Sequence, residues 1–374
     1  MKFSHLFKQT QLGPYTLRNR IVLPPLTRSR SDQPGNIPNQ LMAQYYAQRS
    51  GAGFMVTEGT QIEPRGQGYA WTPGIHSAEQ IAGWKQVTKA VHDAASIIFC
   101  QLWHVGRVSH TSLQPDQQAP IGPSDLIADT VKVFIETAPD QGALADPSEP
   151  RALSTAEVEE LVQMYKQAAI NAKEAGFDGV ELHCANGYLV NQFISEHTNN
   201  RTDKYGGTLA NRLRFLKEIT EAVASVMGPA KVGVRFAPLF ESTDEVRVYL
   251  GLVESDPHLT YIEAIKILNE IGIAYLSLAE ADWDNAPDLP EKFYQEVRAT
   301  FDGLIMYAGK YTPEKALRIL TEGHGDIFGF GRPFIANPDL PERIKYEWPL
   351  NEADPTTMYG GTNKGYTDYP VYIK

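Results

Sequence analysis

Short apolar runs and longer helical segments alternate along the whole chain. The apolar runs are continuous rather than interleaved with polar residues, which is typical of strands covered on both faces. Eight such runs predict strands at residues 20–24, 53–57, 97–102, 178–182, 231–235, 274–278, 304–308 and 326–330. Because helical segments separate them, we predict an α/β fold with a single (β/α)8 TIM barrel over residues 1–374. A doubly wound sheet is the alternative, and eight strands favour the barrel over it.

The segments between the strands carry helical periodicity. In residues 209–226 a leucine, isoleucine or valine recurs every three to four positions, as on one face of a helix. Ser154 and Thr312 are predicted N-caps, because their hydroxyl groups can accept a hydrogen bond from the first helical turn. The other helices are predicted at residues 38–50, 78–95, 154–175, 259–271, 312–322 and 338–347.

The connection after the third strand is unusually long. Residues 104–153 are rich in proline, glycine, aspartate and serine, and residues 131–135 have the pattern of a short strand. Long insertions in compact folds are usually functional or disordered. We therefore predict a β-hairpin insertion that covers the barrel mouth as a lid.

Composition narrows the classes of function. The net charge is −11, which disfavours nucleic acid and anionic membranes as partners. With two cysteines, Cys100 and Cys184, one chain cannot form a four-thiolate iron–sulfur or zinc site. No apolar run approaches the roughly 18 residues of a membrane helix, and residues 1–7 lack the pattern of a signal peptide. The simplest expectation is a cytoplasmic protein.

Glycine-rich turns follow the last two strands. In barrels of this kind, ligands bind at the C-terminal strand ends, and phosphate often binds after strands seven and eight. The candidate phosphate-binding residues are Gly309, Lys310, Gly329, Gly331 and Arg332. The turn at 329–331 lacks the third glycine and the later acidic residue of a dinucleotide fingerprint, so a Rossmann site is not predicted.

Further motifs occupy the ends of the other strands. In chain order they are Pro24-Pro25-Leu26-Thr27, Gln101-Leu102-Trp103-His104, His183-x-x-Asn186-Gly187-Tyr188, the run from Asn199 to Gly207, Arg235 and Phe330-Gly331-Arg332-Pro333. Together they resemble the Old Yellow Enzyme family of FMN-dependent ene-reductases. The resemblance extends over nearly the whole chain. It is greatest to bacterial members that reduce enones, maleimides and nitro-esters.

The resemblance implies a tightly bound, non-covalent FMN. Pro25, Leu26 and Thr27 are expected at the ring, where Thr27 would bond the carbonyl oxygen beside the reactive nitrogen. Gly59 would let the backbone approach the ring, and Gln101 would bind its pyrimidine edge. Arg235 would face the edge where negative charge gathers on reduction. The five glycine-turn residues named above would hold the phosphate.

The resemblance also implies how substrates are treated. His183 and Asn186 would bind the carbonyl or nitro oxygen of an activated alkene, and Tyr188 would deliver a proton. Many bacterial relatives have a second histidine at the position of Asn186. NAD(P)H is the implied reductant, using the same site in ping-pong fashion with enones, nitroalkenes or quinones. The pocket walls are expected to include Tyr69, Trp103 and Tyr359, while Phe240 and Trp283 lie on variable loops and receive no role.

Other functions are compatible with single residues. His104, Glu181 and His183 would suit a metal-dependent barrel hydrolase or lyase, although no cluster completes the metal shell. A non-catalytic flavin carrier is a third hypothesis. Arg235 could also be a structural ion-pair partner of Glu58 or Glu181. The coincidence of motifs at five or more strand ends favours the ene-reductase, with no metal.

Overall fold

Eight parallel strands close into a barrel. The computed structural model describes residues 2–129, 131–241, 253–280 and 288–373. Each strand pairs with the next, and β8 pairs with β1 to complete the ring. This confirms the predicted TIM barrel. The strands are β1 Ile21–Leu23, β2 Phe54–Val56, β3 Ile98–Trp103, β4 Gly179–His183, β5 Val232–Phe236, β6 Tyr275–Ala279, β7 Leu304–Ala308 and β8 Ile327–Gly329.

Helices lie between the strands, as the periodicity predicts. Ser154 and Thr312 are N-caps whose hydroxyl groups accept hydrogen bonds from the amides three residues later. The helix Glu291–Thr300 was not predicted. None of the described helices is long and apolar enough to span a bilayer. The helices are Gln40–Gln48, Ala78–Asp93, Thr155–Glu174, Leu189–Ile194, Leu209–Arg212, Arg214–Met227, Pro257–Ile271, Glu291–Thr300, Pro313–Thr321, Gly331–Ala336 and Leu340–Tyr346.

The lower part of the barrel interior is an apolar core. Phe54, Phe99 and Tyr275 point inward from three strands, with ring centroids 5.5–5.9 Å apart. Leu12 and Leu17 join this cluster from an antiparallel hairpin, Thr10–Leu12 with Tyr15–Leu17. The hairpin therefore closes the end of the barrel opposite to the C-terminal strand ends, where the polar residues gather.

The insertion after β3 contains the predicted hairpin. Strands Val133–Ala138 and Gln141–Ala145 pair in antiparallel fashion. The hairpin is tied to the loop after β2, since the amide of Ala70 donates to the carbonyl of Phe134 at 2.8 Å. Val133 lies in one apolar cluster with Trp103 and Tyr188. The insertion is thus one wall of the region above the strand ends, while its role as a lid stays a prediction.

Candidate active site

A pocket with a cavity volume of about 100 Å³ opens at the C-terminal ends of the strands. The first five barrel strands or the turns that follow them supply its lining. The lining residues are Pro25, Thr27, Gly59, Gln101, Trp103, His183, Asn186, Tyr188 and Arg235. All nine are predicted site residues, so the fold brings together side chains that lie up to 210 positions apart in sequence.

Thr27 lies in a loop after β1 whose backbone is held by Glu58. The amides of Arg28 and Ser29 donate to Glu58 Oε2 at 3.1 and 3.2 Å. Burial raises the pKa of this carboxyl to about 7, although the two amides and the charge of Arg28 lower it. Since Gly59 follows Glu58, one buried side chain fixes Thr27 and Gly59 relative to each other.

Gly59 is a point of close approach. A Cβ atom built on it would lie 2.4 Å from Cε3 of Trp103, well inside van der Waals contact. Trp103 is itself buried and stacks at 5.8 Å on Tyr69, with the ring planes 11° apart. Only glycine therefore leaves the backbone flush with the pocket wall at this position.

Gln101 is anchored by the buried carboxylate of Glu181, which also feels the charge of Arg235. Gln101 Nε2 donates to Glu181 Oε1 at 2.8 Å, and the Tyr275 hydroxyl donates to Glu181 Oε2 at 2.8 Å. Glu181 is fully buried, and the charge of Arg235 acts on it. Of the two ion-pair partners considered for Arg235, Glu181 is the one whose pKa it affects, whereas Glu58 binds the loop after β1.

His183 is a neutral hydrogen-bond donor toward the pocket. Burial, and then the positive charge of Arg235, lower its pKa well below the usual value. Its Nδ1 accepts a hydrogen bond from the amide of Ala185 at 3.3 Å. In a neutral imidazole with Nδ1 as the acceptor, the proton is on Nε2. His183 can thus donate to an oxygen without carrying charge.

Asn186 occupies a left-handed turn after β4. Its φ is 58°, and Gly187 follows with a φ of 69°. Asparagine tolerates this region better than most residues. The Gly187 amide donates to Asn191 Oδ1 at 2.8 Å, which fixes the turn. Within the described ranges, Asn186 Oδ1 is buried without a hydrogen-bond partner.

Tyr188 stands between two aromatic rings. Its ring meets those of Trp103 and His183 edge to face, with centroids 5.0 Å apart in both pairs. It is 7% exposed, and its hydroxyl oxygen lies 3.1 Å from that of Tyr69. The phenol is therefore held in one orientation beside His183, at the face where a substrate oxygen would bind.

The turns after β7 and β8 adjoin the pocket through β1. A Cβ on Gly329 would lie 3.0 Å from Pro24, and one on Gly331 would lie 3.1 Å from Leu26. Lys310 and Arg332 are exposed beside these glycines. The candidate phosphate residues thus lie next to the loop that carries Pro25 and Thr27.

Other predicted residues lie outside the pocket lining. Tyr359 is 58% exposed. Phe240 packs between His258 and Phe293, with centroids 4.8 Å away in each case. Trp283 lies outside the described residues. In the described part of the chain no group of three or more His, Cys, Asp or Glu could hold a metal ion, and the proposed ligand His104 instead pairs with Glu63 at 3.2 Å.

A sequence profile described as the NADH:flavin oxidoreductase / NADH oxidase family matches residues 5–351. The chain belongs to this family. It is the Old Yellow Enzyme family that the strand-end motifs resemble, and the chain is accordingly an FMN-dependent oxidoreductase.

Relatives of this flavin oxidoreductase match it over nearly their full length. Morphinone reductase, solved in complex with tetrahydroNAD, is 45% identical over 98% of both chains with a TM-score of 0.92. The old yellow enzyme homologue from Zymomonas mobilis is 38% identical over 98% of this chain and 99% of its own, with a TM-score of 0.90. By sequence, 12-oxophytodienoate reductase 7 of Oryza sativa subsp. japonica is 39% identical over 99% of this chain and 95% of its own.

The pocket of this family member suits FMN chemically. Gly59 leaves the backbone flat against Trp103, where a planar ring can approach. Arg235 Nη1, like Asn186 Oδ1, is buried without a partner among the residues described, so a polar ligand can satisfy both. Beside the pocket, the exposed side chains of Lys310 and Arg332 and the glycine amides suit a phosphate. Such local donors can bind a phosphate even in a protein with a negative net charge.

Three residues that build the site were not predicted to do so. Glu58 holds the loop of Thr27, while Glu181 and Tyr275 support Gln101. The two glutamates lie at or near strand ends, next to predicted site residues, and from that position their supporting role could have been predicted. The role of Tyr275 could not be predicted from the sequence, because only the strand register shows that it reaches Glu181.

Proposed function

We propose that the enzyme reduces activated C=C bonds with NAD(P)H in a ping-pong cycle, with Tyr188 as the proton donor. Enones, maleimides, nitroalkenes or nitro-esters, and quinones are the proposed oxidants. The observation that carries the proposal is the convergence of neutral His183, Asn186 and Tyr188 on one pocket that also contains Arg235. The names of two relatives, reductases of morphinone and 12-oxophytodienoate, support an oxo-activated substrate.

We further propose which residues hold FMN. Thr27, Gly59, Gln101 and Arg235 would contact the ring, with Pro25 and Leu26 packed beside it. When bound, FMN would supply the hydride transfer between nicotinamide and alkene. Arg235 would favour the reduced state, because its fixed positive charge would face the edge where negative charge gathers. The phosphate would be held by Gly309, Lys310, Gly329, Gly331 and Arg332.

His183 and Asn186 would orient and polarise the substrate. The Nε2–H of His183 and the amide of Asn186 can both donate to a carbonyl or nitro oxygen. Two such donors stabilise the enolate-like charge that develops as the alkene is reduced. The low pKa of His183 keeps it a neutral donor, so it binds ketones and nitro groups without selecting for anions.

Tyr188 would then protonate the second alkene carbon. A phenol has an ordinary pKa of about 10, so it holds its proton at neutral pH and can give it up late in the reaction. The rings of Trp103 and His183 fix its position. The insertion 104–153 packs against this side of the pocket, and we propose that it limits access of water as a lid.

The nicotinamide and the alkene would use the same donors in turn. The carboxamide of a nicotinamide presents a carbonyl oxygen, as an enone does. The sequence holds no separate dinucleotide fingerprint. The structure of morphinone reductase with tetrahydroNAD supports a nicotinamide site in this family.

The test starts from the purified yellow enzyme. Heat-released cofactor should be FMN by chromatography, and NAD(P)H should bleach the protein under nitrogen. Addition of cyclohexenone, a maleimide or a nitroalkene should restore the colour with formation of the saturated product. Release of FAD would overturn the cofactor assignment. A protein that bleaches but reduces none of these compounds would be a flavin carrier or an oxidase, and the ene-reductase proposal would fail.

A further inference from the structure

Four barrel residues lie in one layer beneath the pocket. The strand register places Gln101 opposite Glu181, Glu181 opposite Gly233, and Gly233 opposite Tyr275. The layer is thus a row of register partners that runs across β3, β4, β5 and β6. The side chains of Gln101, Glu181 and Tyr275 project into the barrel, since they are buried and Glu181 accepts hydrogen bonds from the other two.

Because Gly233 has no side chain, Tyr275 can reach across β5 to Glu181. A Cβ atom built on it would lie 2.2 Å from the ring of Tyr275, so the ring crosses the space that any other residue would occupy. The Tyr275 hydroxyl thereby reaches over β5 and donates to Glu181 Oε2 at 2.8 Å. The absence of a side chain at Gly233 on β5 thus lets Glu181 on β4 accept a hydrogen bond from Tyr275 on β6.

Glu181 has the bonding pattern of an ionised carboxylate. One of its oxygens accepts from Gln101 and the other from Tyr275, both at 2.8 Å. An ionised carboxylate can accept hydrogen bonds at both oxygens, whereas a protonated carboxyl carries a donor O–H on one of them. The pKa of Glu181 is raised by burial, and the charge of Arg235 and these two hydrogen bonds limit that rise.

Arg235 lies one step above this layer. It is two residues beyond Gly233 on β5, on the same side of the strand, and pairs in register with His183. Its Nη1 is buried and has no hydrogen-bond partner in the described residues. The positive charge of Arg235 is thus open toward the pocket above and opposed by Glu181 below.

We propose that Glu181 is a positioning residue that sets the reduction potential of the bound FMN. It holds the Gln101 carboxamide by its Nε2 group and opposes the charge of Arg235 from within the barrel. This inference rests on the proposed placement of FMN beside Arg235 and Gln101. A negative charge near that edge makes the reduced ring less favourable, so the flavin of the natural enzyme reduces alkenes more readily than it would without Glu181.

The decisive variant is Glu181→Gln, which keeps the volume and one acceptor oxygen. The potential is measured anaerobically against a reference dye. Removal of the buried negative charge should shift the flavin–dye equilibrium toward reduced FMN on the order of tenfold, which is about 30 mV for a two-electron couple. Reduction by NAD(P)H should become faster and reoxidation by the enone slower. An unchanged potential in folded, FMN-bound Glu181→Gln would overturn the inference.

A matched control is Glu254→Gln. Glu254 is also buried, and it lies 3.6 Å from the guanidinium of Arg212, outside the pocket lining. The Glu254→Gln variant removes the same charge from another buried glutamate beside an arginine. The reduction potential of its FMN should therefore equal that of the natural enzyme. An equal shift in both variants would show an effect of net charge only and would overturn the role of Glu181.

Two further variants keep the outcome interpretable. If Glu181→Gln fails to fold, Tyr275→Phe removes a donor that favours the ionised carboxylate. Glu181 then binds a proton more readily, so the potential should shift in the same direction but less far, and no shift would overturn the inference. Arg235→Met should lower the potential or release FMN. If it does neither, FMN lies elsewhere and the proposed site fails. If Arg235→Met changes the potential or releases FMN but the Glu181 and Tyr275 variants leave the potential unchanged, the proposed FMN site is supported and the proposed role of Glu181 is wrong.

Discussion

The hydroxyl oxygens of Tyr69 and Tyr188 lie 3.1 Å apart, within hydrogen-bond distance. Tyr69 comes from the loop after β2, and Tyr188 is the N-cap of the helix Leu189–Ile194 after β4. Tyr69 also stacks on Trp103, which Tyr188 meets edge to face. The two phenols and the indole therefore form one wall, in which Tyr69 can steady the hydroxyl that we propose as the proton donor.

Tyr188→Phe should separate the two half-reactions. The change keeps the ring and removes only the proton donor. Because general acid catalysis contributes about 10²–10⁴-fold, enone reduction should slow by a factor in that range. Reduction of the flavin by NAD(P)H needs no such proton and should be nearly unchanged, as should reoxidation by quinones. Stopped-flow spectroscopy measures each step.

Tyr69→Phe is the matched control for this prediction. It leaves the Tyr188 proton in place and removes only the neighbouring hydroxyl, so the loss in enone reduction should be much smaller. Equal slowing of both half-reactions in Tyr188→Phe would show that this tyrosine is a structural wall and not an acid.

His183 and Asn186 should serve both substrates. Replacing both with alanine removes the two donors that face the pocket. The KM values for enone and for NAD(P)H should then rise together, and binding of a phenol should weaken. Loss of one hydrogen bond to an uncharged group costs about 0.5–1.5 kcal/mol, so the loss of two costs about 1–3 kcal/mol and each KM should rise roughly tenfold or more. If only one KM changed, the shared-site proposal would be wrong.

The depressed pKa of His183 predicts a flat pH response. The folded protein favours the neutral imidazole, so its charge appears only well below the usual titration range of histidine near pH 6.5. Between about pH 6 and 8 the KM for NAD(P)H should therefore show no inflection from His183. The comparison is with His183→Gln, which cannot titrate. A step near pH 6.5 that vanishes in this variant would contradict the predicted protonation state.

Gly59→Ala should weaken FMN binding. The new methyl group would lie 2.4 Å from Trp103, so the ring or the strand end must move. Overpacking of this kind costs about 1–3 kcal/mol, and we expect the FMN dissociation constant to rise about tenfold or more. Fluorescence titration of the FMN-free protein measures it. Gly51→Ala is the control, because the nearest atom to its new methyl group would be in the flexible Glu342 carboxylate, at 3.3 Å. Equal affinities in the two variants would refute the close-approach argument.

Glu58 should make stability depend on pH. Its folded pKa of about 7 lies above the ordinary value of 4.5, so the folded protein binds the proton more tightly. The resulting stabilisation is complete below about pH 4.5 and is lost as the pH rises through 7. Between about pH 5 and 8.5 the natural protein should lose about 2 kcal/mol more free energy of unfolding than Glu58→Gln. Urea denaturation at both pH values measures this, and parallel losses would disprove it.

The strands were predictable because burial on both faces leaves continuous apolar runs. Each of the eight predicted runs contains or overlaps one barrel strand. The helix Glu291–Thr300 was missed, although Phe293 and Val297 are both buried and lie one turn apart. It is a short segment with many charged residues, and the apolar signal is correspondingly weak.

The pocket was predictable where function leaves a local motif. His183, Asn186 and Tyr188 lie within six residues and could be recognised together. The support beneath them could not be predicted in this way. Gln101, Glu181 and Tyr275 meet only through strand register, which depends on the whole barrel closing. Sequence-local patterns contain no information on which residues of distant strands stand at the same height.

The missing side chain at Gly233 has a consequence for variation among related sequences. Any larger residue at 233 is incompatible with an aromatic ring at 275, whose atoms lie 2.2 Å from the added Cβ. The two positions are therefore constrained as a pair and should change jointly during divergence. A mutant library that randomises position 233 while Tyr275 is kept should contain mostly destabilised proteins, whereas one that varies both positions can sample new interiors of the barrel.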